Sequence, residues 1–345
     1  MQKGIASPDK YLSIDDSTVM KAIAILLMLS HHLWTFPERI AGGPLESLIS
    51  FSNLPLTVHL GVFGKICVSM FFFLGGYGLY KRYFGKRYNI AKRLKKLYFA
   101  YWKVFLIFVP IGFIFFSNQN AYCQDVGVYS AFSEFSIKEF VLNFFGFVST
   151  YNREWWFLLS YAIALILFPL IRKIVDYLSI YLNLFIVIII SVLLTNVFQS
   201  ESYAVCFGMG VIVAKHRLFD SLSDFAKSKK FLFLNPVSDI LIWLLVIILR
   251  LKVIGEQLDI FFVPILTIAS INFINKLSIL KKSLSSLGKR STNMWLIHTF
   301  FCYYFGITAK IVAAPRYAIL ALIVLFAMSY AASILVEKFW KRIGK

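Results

Sequence analysis

Met20-Lys21-Ala22-Ile23-Ala24-Ile25-Leu26-Leu27-Met28-Leu29-Ser30-His31-His32-Leu33-Trp34 is the stretch whose reading decides the fold class. It follows the polar cluster Asp15-Asp16-Ser17-Thr18, which suits a helix start, and it lies within the run 19–36, almost without charge and within the range of lengths of a helix that crosses about 30 Å of hydrocarbon. Similar apolar runs recur along the whole chain between charged or polar clusters. They do not alternate as the strands of a closed barrel would, so the spanning element is the helix. Composition agrees: of 345 residues, 59% are apolar and 15% charged, and the mean hydropathy is +0.74.

The runs predict an all-α integral membrane protein of about ten transmembrane helices, at roughly 19–36, 58–80, 97–116, 155–171, 178–198, 201–214, 237–254, 259–275, 291–309 and 316–336. The segment 138–151 is apolar but too short to cross and reads as interfacial or re-entrant. Neither repeats nor long linkers are visible. The organisation expected is a cytoplasmic segment 1–18, a membrane domain 19–336 and a cytoplasmic tail 337–345. The first 18 residues are polar and carry no cleavage signature, so no removable signal peptide is read.

The net charge of +19 would suggest a nucleic-acid partner in a soluble protein, but in a membrane the placement of charge matters more, and no nucleic acid is expected. With both termini in the cytoplasm, 27 Lys and Arg are counted on the inner side and 7 on the outer, and the two left over, Lys65 and Lys103, lie within spans. The four cysteines are far apart, and neither a disulfide framework nor a metal-ligand spacing is seen.

Lys21 and His32 are eleven residues apart, which is three helical turns to within about 20°, so they share one face of the first helix about 16 Å apart. Imidazole is suited to proton transfer near neutral pH, and an ionisable group at that depth is costly. The alternative for the His pair is a hydrogen bond to a neighbouring helix. The second span ends in Phe71-Phe72-Phe73-Leu74-Gly75-Gly76-Tyr77, where the glycines admit a thin ligand or simply another backbone. The following sixteen residues, 81–96, hold eight positive charges and no acid, including Lys92, Arg93, Lys95 and Lys96. That density suits anionic lipid headgroups or the phosphates of a nucleotide-like cofactor. Asn152-Arg153-Glu154-Trp155-Trp156 sets an acid and two indoles at the mouth of the fourth span, either an interfacial belt or a sugar-binding platform. His298 lies about seven residues into the ninth span, as an interhelical or a catalytic group.

Together these residues resemble the membrane acyltransferase family 3, the integral-membrane O-acyltransferases that decorate bacterial surface polysaccharides. Lys21, Ala22 and His32 resemble the family's basic residue, small residue and histidine eleven positions on. Phe71, Phe72, Gly76 and Tyr77 resemble its phenylalanine run followed by Ser-Gly-aromatic. Trp156-Phe157-Leu158 resembles the entry to its fourth span, Trp295-Leu296-Ile297-His298 its aromatic-aliphatic-His segment, and Val336-Glu337-Lys338 its Glu-basic ending. Each motif is short; five in order over nearly the whole chain are much stronger. Three departures stand out: Lys21 replaces an arginine, Gly75 replaces a serine, and Arg93-Leu94-Lys95-Lys96 stands where two arginines three apart are common. Lysine keeps the charge and loses the bidentate phosphate geometry.

The resemblance implies a multi-pass enzyme of the bacterial cytoplasmic (inner) membrane, with acetyl-coenzyme A or another acyl-coenzyme A as donor and no metal. Its donor site would comprise Lys21, Lys92, Arg93, Lys95, Lys96, Gly75, Gly76 and Tyr77, and its catalytic residues His32, Glu154 and His298. Asn152, Trp155 and Trp156 would receive a glycan or lipid-linked sugar, and membrane lipids would surround the whole. A glycan or small-molecule transporter and a polysaccharide polymerase are the alternatives; the short outer loops disfavour the polymerase.

Overall fold

The computed structural model describes residues 7–51, 53–123, 127–197, 202–229, 235–252 and 256–344. In chain order the helices are α1 (Ile14–Trp34), α2 (Leu56–Gly64), α3 (Ile66–Tyr83), α4 (Ile90–Phe115), α5 (Ile137–Phe144), α6 (Phe157–Tyr177), α7 (Ile180–Asn196) and α8 (Val205–His216). They continue as α9 (Leu218–Lys229), α10 (Pro236–Lys252), α11 (Asp259–Ile274), α12 (Ser278–Gly288), α13 (Ser291–Thr299), α14 (Gly306–Ala313) and α15 (Ala318–Ile343). Two short antiparallel hairpins, Ser50–Phe51 with Leu54–Pro55 and Ala121–Cys123 with Gly127–Tyr129, lie in the connections.

A helix stands at each of the ten predicted segments, and six helical stretches are long and apolar enough to cross a membrane. The chain is a multi-pass membrane protein whose described residues are mostly helical, with almost no strand. Two predicted spans are corrected. The ninth, 291–309, is not one straight crossing: Ser291–Tyr304 and Gly306–Ala313 meet at 89°, and counted as one they make a seventh span. The sixth, 201–214, is the 12-residue α8, about 18 Å long and therefore too short for about 30 Å of hydrocarbon. The predicted span ends at 198, 201 and 254 lie outside the described residues.

Helix α1 begins five residues before the predicted span because Ser13 and Asp16 form a capping box. The Ser13 hydroxyl accepts from the Asp16 amide at 3.0 Å, and the Asp16 carboxylate accepts from the Ser13 amide at 3.1 Å. The predicted interfacial segment 138–151 contains α5, capped by Ser136 and laid on α4. There the Trp102 ring stacks on Phe144 at 4.8 Å, and its Nε1 donates to the Phe144 carbonyl at 2.8 Å.

The contacts gather into two compact units, 1–24 with 66–90 and 163–289, and 25–65 with 91–162 and 290–345. In the first, α8 is packed into α3: a Cβ on Gly76 would sit 2.0 Å from the Phe207 carbonyl oxygen, and one on Gly210 2.2 Å from that of Phe73. Only glycine permits this approach. Close by, Arg250 pairs with the fully buried Asp259 at 2.8 Å, and Ser69 donates to the same carboxylate at 2.7 Å. The N-terminal segment is tied into this unit by Asp9, which accepts from Tyr77 Oη at 2.8 Å and the Phe219 amide at 2.8 Å. Burial raises the Asp9 pKa above the usual carboxylate value, with Tyr77 opposing.

In the second unit, α2 lies against the C-terminal half of α1, where a Cβ on Gly61 would meet Thr35 and Trp34 within 2.9 Å. Trp34 Nε1 donates to the Ala318 carbonyl at 3.1 Å, and Arg290 pairs with Glu337 at 2.9 Å, fastening the start of α13 to α15.

Candidate active site

The close approach of α2 to α1 distinguishes the adjacent histidines. His31 is buried, and its Nδ1 lies 2.9 Å from the Gly61 carbonyl and 3.0 Å from the Thr35 hydroxyl. A carbonyl only accepts, so His31 Nδ1 carries a proton and the ring serves as an interhelical tie. His32 is partly exposed, and its Nδ1 is buried with no hydrogen-bond partner. Of the two, His32 is the ring left to do chemistry.

Helix α13 brings His298 alongside, with its ring centroid 5.1 Å from that of His32. His298 is fully buried, and its Nδ1 lies 2.9 Å from the Trp295 carbonyl and 3.1 Å from that of Met294. Both partners are acceptors, so Nδ1 holds the proton and the neutral ring presents a bare lone pair at Nε2. That nitrogen is buried and has no partner. Two imidazoles in contact thus each keep a buried ring nitrogen without a partner, and in the neutral ring that of His298 can receive a proton.

After Thr299 the chain opens into a π-helical turn, Phe300–Tyr304, before the bend at Phe305. The wider turn presents Tyr303 and Tyr304 in succession, and such turns are frequent at functional sites. Tyr303 Oη donates to the His32 carbonyl, and Tyr304 Oη donates to Glu154 Oε2 at 2.9 Å. The other Glu154 oxygen accepts from Arg39 Nη2 at 2.7 Å, with the two side chains 7% and 8% exposed. Arg39 lies over the Tyr303 ring, 3.6 Å from its centroid. Burial opposes the Arg39 charge, but Tyr303, Glu154 and Tyr304 outweigh it and hold its pKa above the ordinary value.

The short 3-10 turn Arg153–Trp156 sets Glu154 in place. Asn152 Oδ1 accepts from the Glu154 amide at 3.2 Å while its Nδ2 donates to Thr299 Oγ1 at 2.8 Å, and the buried Trp155 donates to the Leu296 carbonyl at 3.0 Å. Asn152 and Trp155, predicted to face a sugar, are thus used inside the protein to fix this turn on α13. Trp156 is 38% exposed.

The structure therefore brings His32, Glu154 and His298 together in the second unit. Lys92, Arg93, Lys95 and Lys96 occupy the first two turns of α4, where Lys92, Lys95 and Lys96 are exposed and Arg93 is half-buried. Lys21 is half-buried on α1. Gly75, Gly76 and Tyr77 lie on α3 in the first unit, where packing against Phe207 accounts for Gly76 and the Asp9 bond for Tyr77. Sequence reading missed Arg39, Tyr303 and Tyr304. Arg39 counted there only as one of the seven outer charges, and the tyrosines sit in the aromatic-rich run Phe300-Phe301-Cys302-Tyr303-Tyr304-Phe305, whose polar tips no periodicity sets apart. Among the described residues no group of three or more His, Cys, Asp or Glu is placed to hold a metal ion.

The family model described as an acyltransferase domain, that of acyltransferase family 3, matches residues 13–338, nearly the whole chain. No curated protein and no solved structure matches it.

Proposed function

This chain belongs to acyltransferase family 3, and we propose that it is a membrane O-acyltransferase of the bacterial cytoplasmic membrane. It takes an acyl group, most simply acetyl, from cytoplasmic acyl-coenzyme A to a hydroxyl of a cell-surface glycan or its lipid-linked precursor. The observation that carries this reading is the contact between His32 and His298, each with a buried ring nitrogen that nothing in the protein uses.

In this reading the acceptor oxygen attacks the thioester carbon while its proton passes to the imidazole of His32. The tetrahedral adduct then collapses: the carbon–sulfur bond breaks, and the coenzyme A thiolate leaves with the proton that His32 returns. Such a base contributes about 10² to 10⁴-fold. His298, whose neutral ring accepts at Nε2, is the second proton-accepting group beside it. Glu154 has both oxygens engaged, so its assigned role is to hold Arg39 and Tyr304 rather than to take a proton.

The donor's phosphates are assigned to the basic first turns of α4, where the positive end of a 26-residue helix adds to Lys92, Arg93, Lys95 and Lys96. Lys21 lies three turns before His32 on the same face of α1. The acceptor is assigned to the side of Trp156, the exposed indole of the Asn152–Trp156 turn.

One observation favours a second reading: the 89° break after Tyr304 resembles the discontinuous helices of transporters. Protein purified in detergent, given acetyl-coenzyme A and a lipid-linked glycan extract, separates the two. Acyl transfer predicts release of coenzyme A thiol that depends on the extract. Substrate flux in proteoliposomes without thiol release would favour the transporter.

A further inference from the structure

An acyl transfer that passes through a tetrahedral adduct needs more than a base, because the thioester oxygen becomes an anion as the carbon is attacked. In a site shielded from water that charge requires a preorganised donor. We propose that Arg39 is this donor, presenting its Nε–H to the oxyanion. The assignment rests on the acyltransferase reading and adds to it a catalytic residue.

Four observations carry it. Arg39 is a buried cation whose Nη2 is committed to Glu154 at 2.7 Å, while its Nε is buried without any hydrogen-bond partner. An unsatisfied N–H on a buried guanidinium is costly and calls for an explanation. The guanidinium plane is fixed from two directions, by Glu154 in its hydrogen-bonding fork and by the Tyr303 ring 3.6 Å beneath it. The same Tyr303 binds the His32 backbone carbonyl, and its ring lies 6.1 Å from that of His32, so the group under the cation also holds the backbone of the proposed base. Finally, Arg39 Nε is an unpartnered buried donor, as Arg153 Nε is next to Glu154, and two imidazole nitrogens of the cluster, His32 Nδ1 and His298 Nε2, are buried without partners, the latter an acceptor in the neutral ring. A reacting hydroxyl and a developing oxyanion supply the complementary pair, a proton to give and a negative charge to stabilise.

A purely structural ion pair is the competing account, since Arg39 also fastens its 3-10 turn to Glu154. An ion pair accounts for Nη2 but not for the bare Nε in a cluster that also holds two bare imidazole nitrogens. In the proposal Glu154 and Tyr304 are positioning residues: they hold the fork of Arg39 so that the remaining N–H keeps its direction.

The test is steady-state kinetics of Arg39→Lys, which keeps the charge beside Glu154 and loses the Nε–H. The expected result is a fall in kcat of about 10² to 10³-fold, the usual cost of one oxyanion donor. The KM for acetyl-coenzyme A, and the affinity for a ketone analogue of it that cannot be cleaved, should stay within about threefold, because such a donor acts in the transition state and not on the neutral carbonyl. A kcat within about threefold of the parent would overturn the proposal, as would a matching loss of analogue affinity. If Arg39→Lys does not accumulate, Arg39→Gln combined with Glu154→Gln removes both buried charges together and leaves neither unpaired. That pair should lose kcat to a similar degree, and retained turnover would again overturn the assignment. A parent protein that releases no coenzyme A thiol would defeat the acyltransferase reading itself, whereas an active parent with an active Arg39→Lys defeats only the role of Arg39.

Discussion

Adjacent histidines on one helix point about 100° apart, so His31 and His32 answer to different neighbours. His31 is spent on the Gly61 carbonyl, and His32 keeps a nitrogen without a partner. His31→Ala should therefore lose one interhelical hydrogen bond, about 0.6 kcal/mol, and retain most of its turnover. His32→Asn should be inactive although it accumulates, since an amide can hydrogen-bond but cannot accept a proton near neutral pH. Acyl transfer by the two purified variants at matched expression checks both, and the reverse pattern would shift the functional register by one residue. The spacing from Lys21 was enough to single out His32 in the sequence, because helical period is a local property. Arg39 was not legible, because its meaning depends on Glu154, 115 positions away. Nor was the tautomer of His298, which depends on carbonyls that only the folded helix aligns.

The elements divide in the same way. The start of α1 was open to reading from Ser13 and Asp16, whose capping box is a local signal, yet the polar cluster after it drew the predicted span five residues too late. The π-helical turn and the 89° bend carry no such signal: the apolar run from Trp295 to Phe305 reads as one uninterrupted helix. Gly76 of the α3–α8 contact was visible and Gly210 was not singled out, while the choice between packing and ligand approach required the position of the Phe207 carbonyl. Gly76→Val should consequently lower thermal stability in detergent by about 1–3 kcal/mol or more, the cost of overpacking against backbone. An unchanged melting temperature would show that the helices are not in contact there. For α4, replacing Arg93 and Lys96 together with Gln should raise the KM for acetyl-coenzyme A more than it lowers kcat, because phosphate contacts bind ground and transition states alike. Raised salt should reproduce the effect in the parent. Unchanged donor affinity would make this end of α4 a lipid-facing element only.

At the scale of the whole molecule, hydropathy was sufficient for a multi-pass helical protein, since every backbone polar group in hydrocarbon must be satisfied within its own helix. The grouping of the helices into two compact units was hidden, because each unit is assembled from segments distant in sequence. The 27-to-7 division of positive charge predicts that residues 81–96 face the cytoplasm. In a variant with Cys123 replaced, Arg87→Cys should resist an impermeant thiol reagent in intact cells and react once the membrane is opened. Ready labelling of intact cells would reverse the orientation and move the donor site to the wrong side. The central claim is that this membrane protein transfers acyl groups at His32. Its most direct test is acetyl transfer from radiolabelled acetyl-coenzyme A to a lipid-linked glycan extract by the purified parent and by His32→Ala. The account predicts transfer by the parent and a loss of about 10² to 10⁴-fold in the variant with donor binding intact; an active parent matched by an equally active His32→Ala would contradict it.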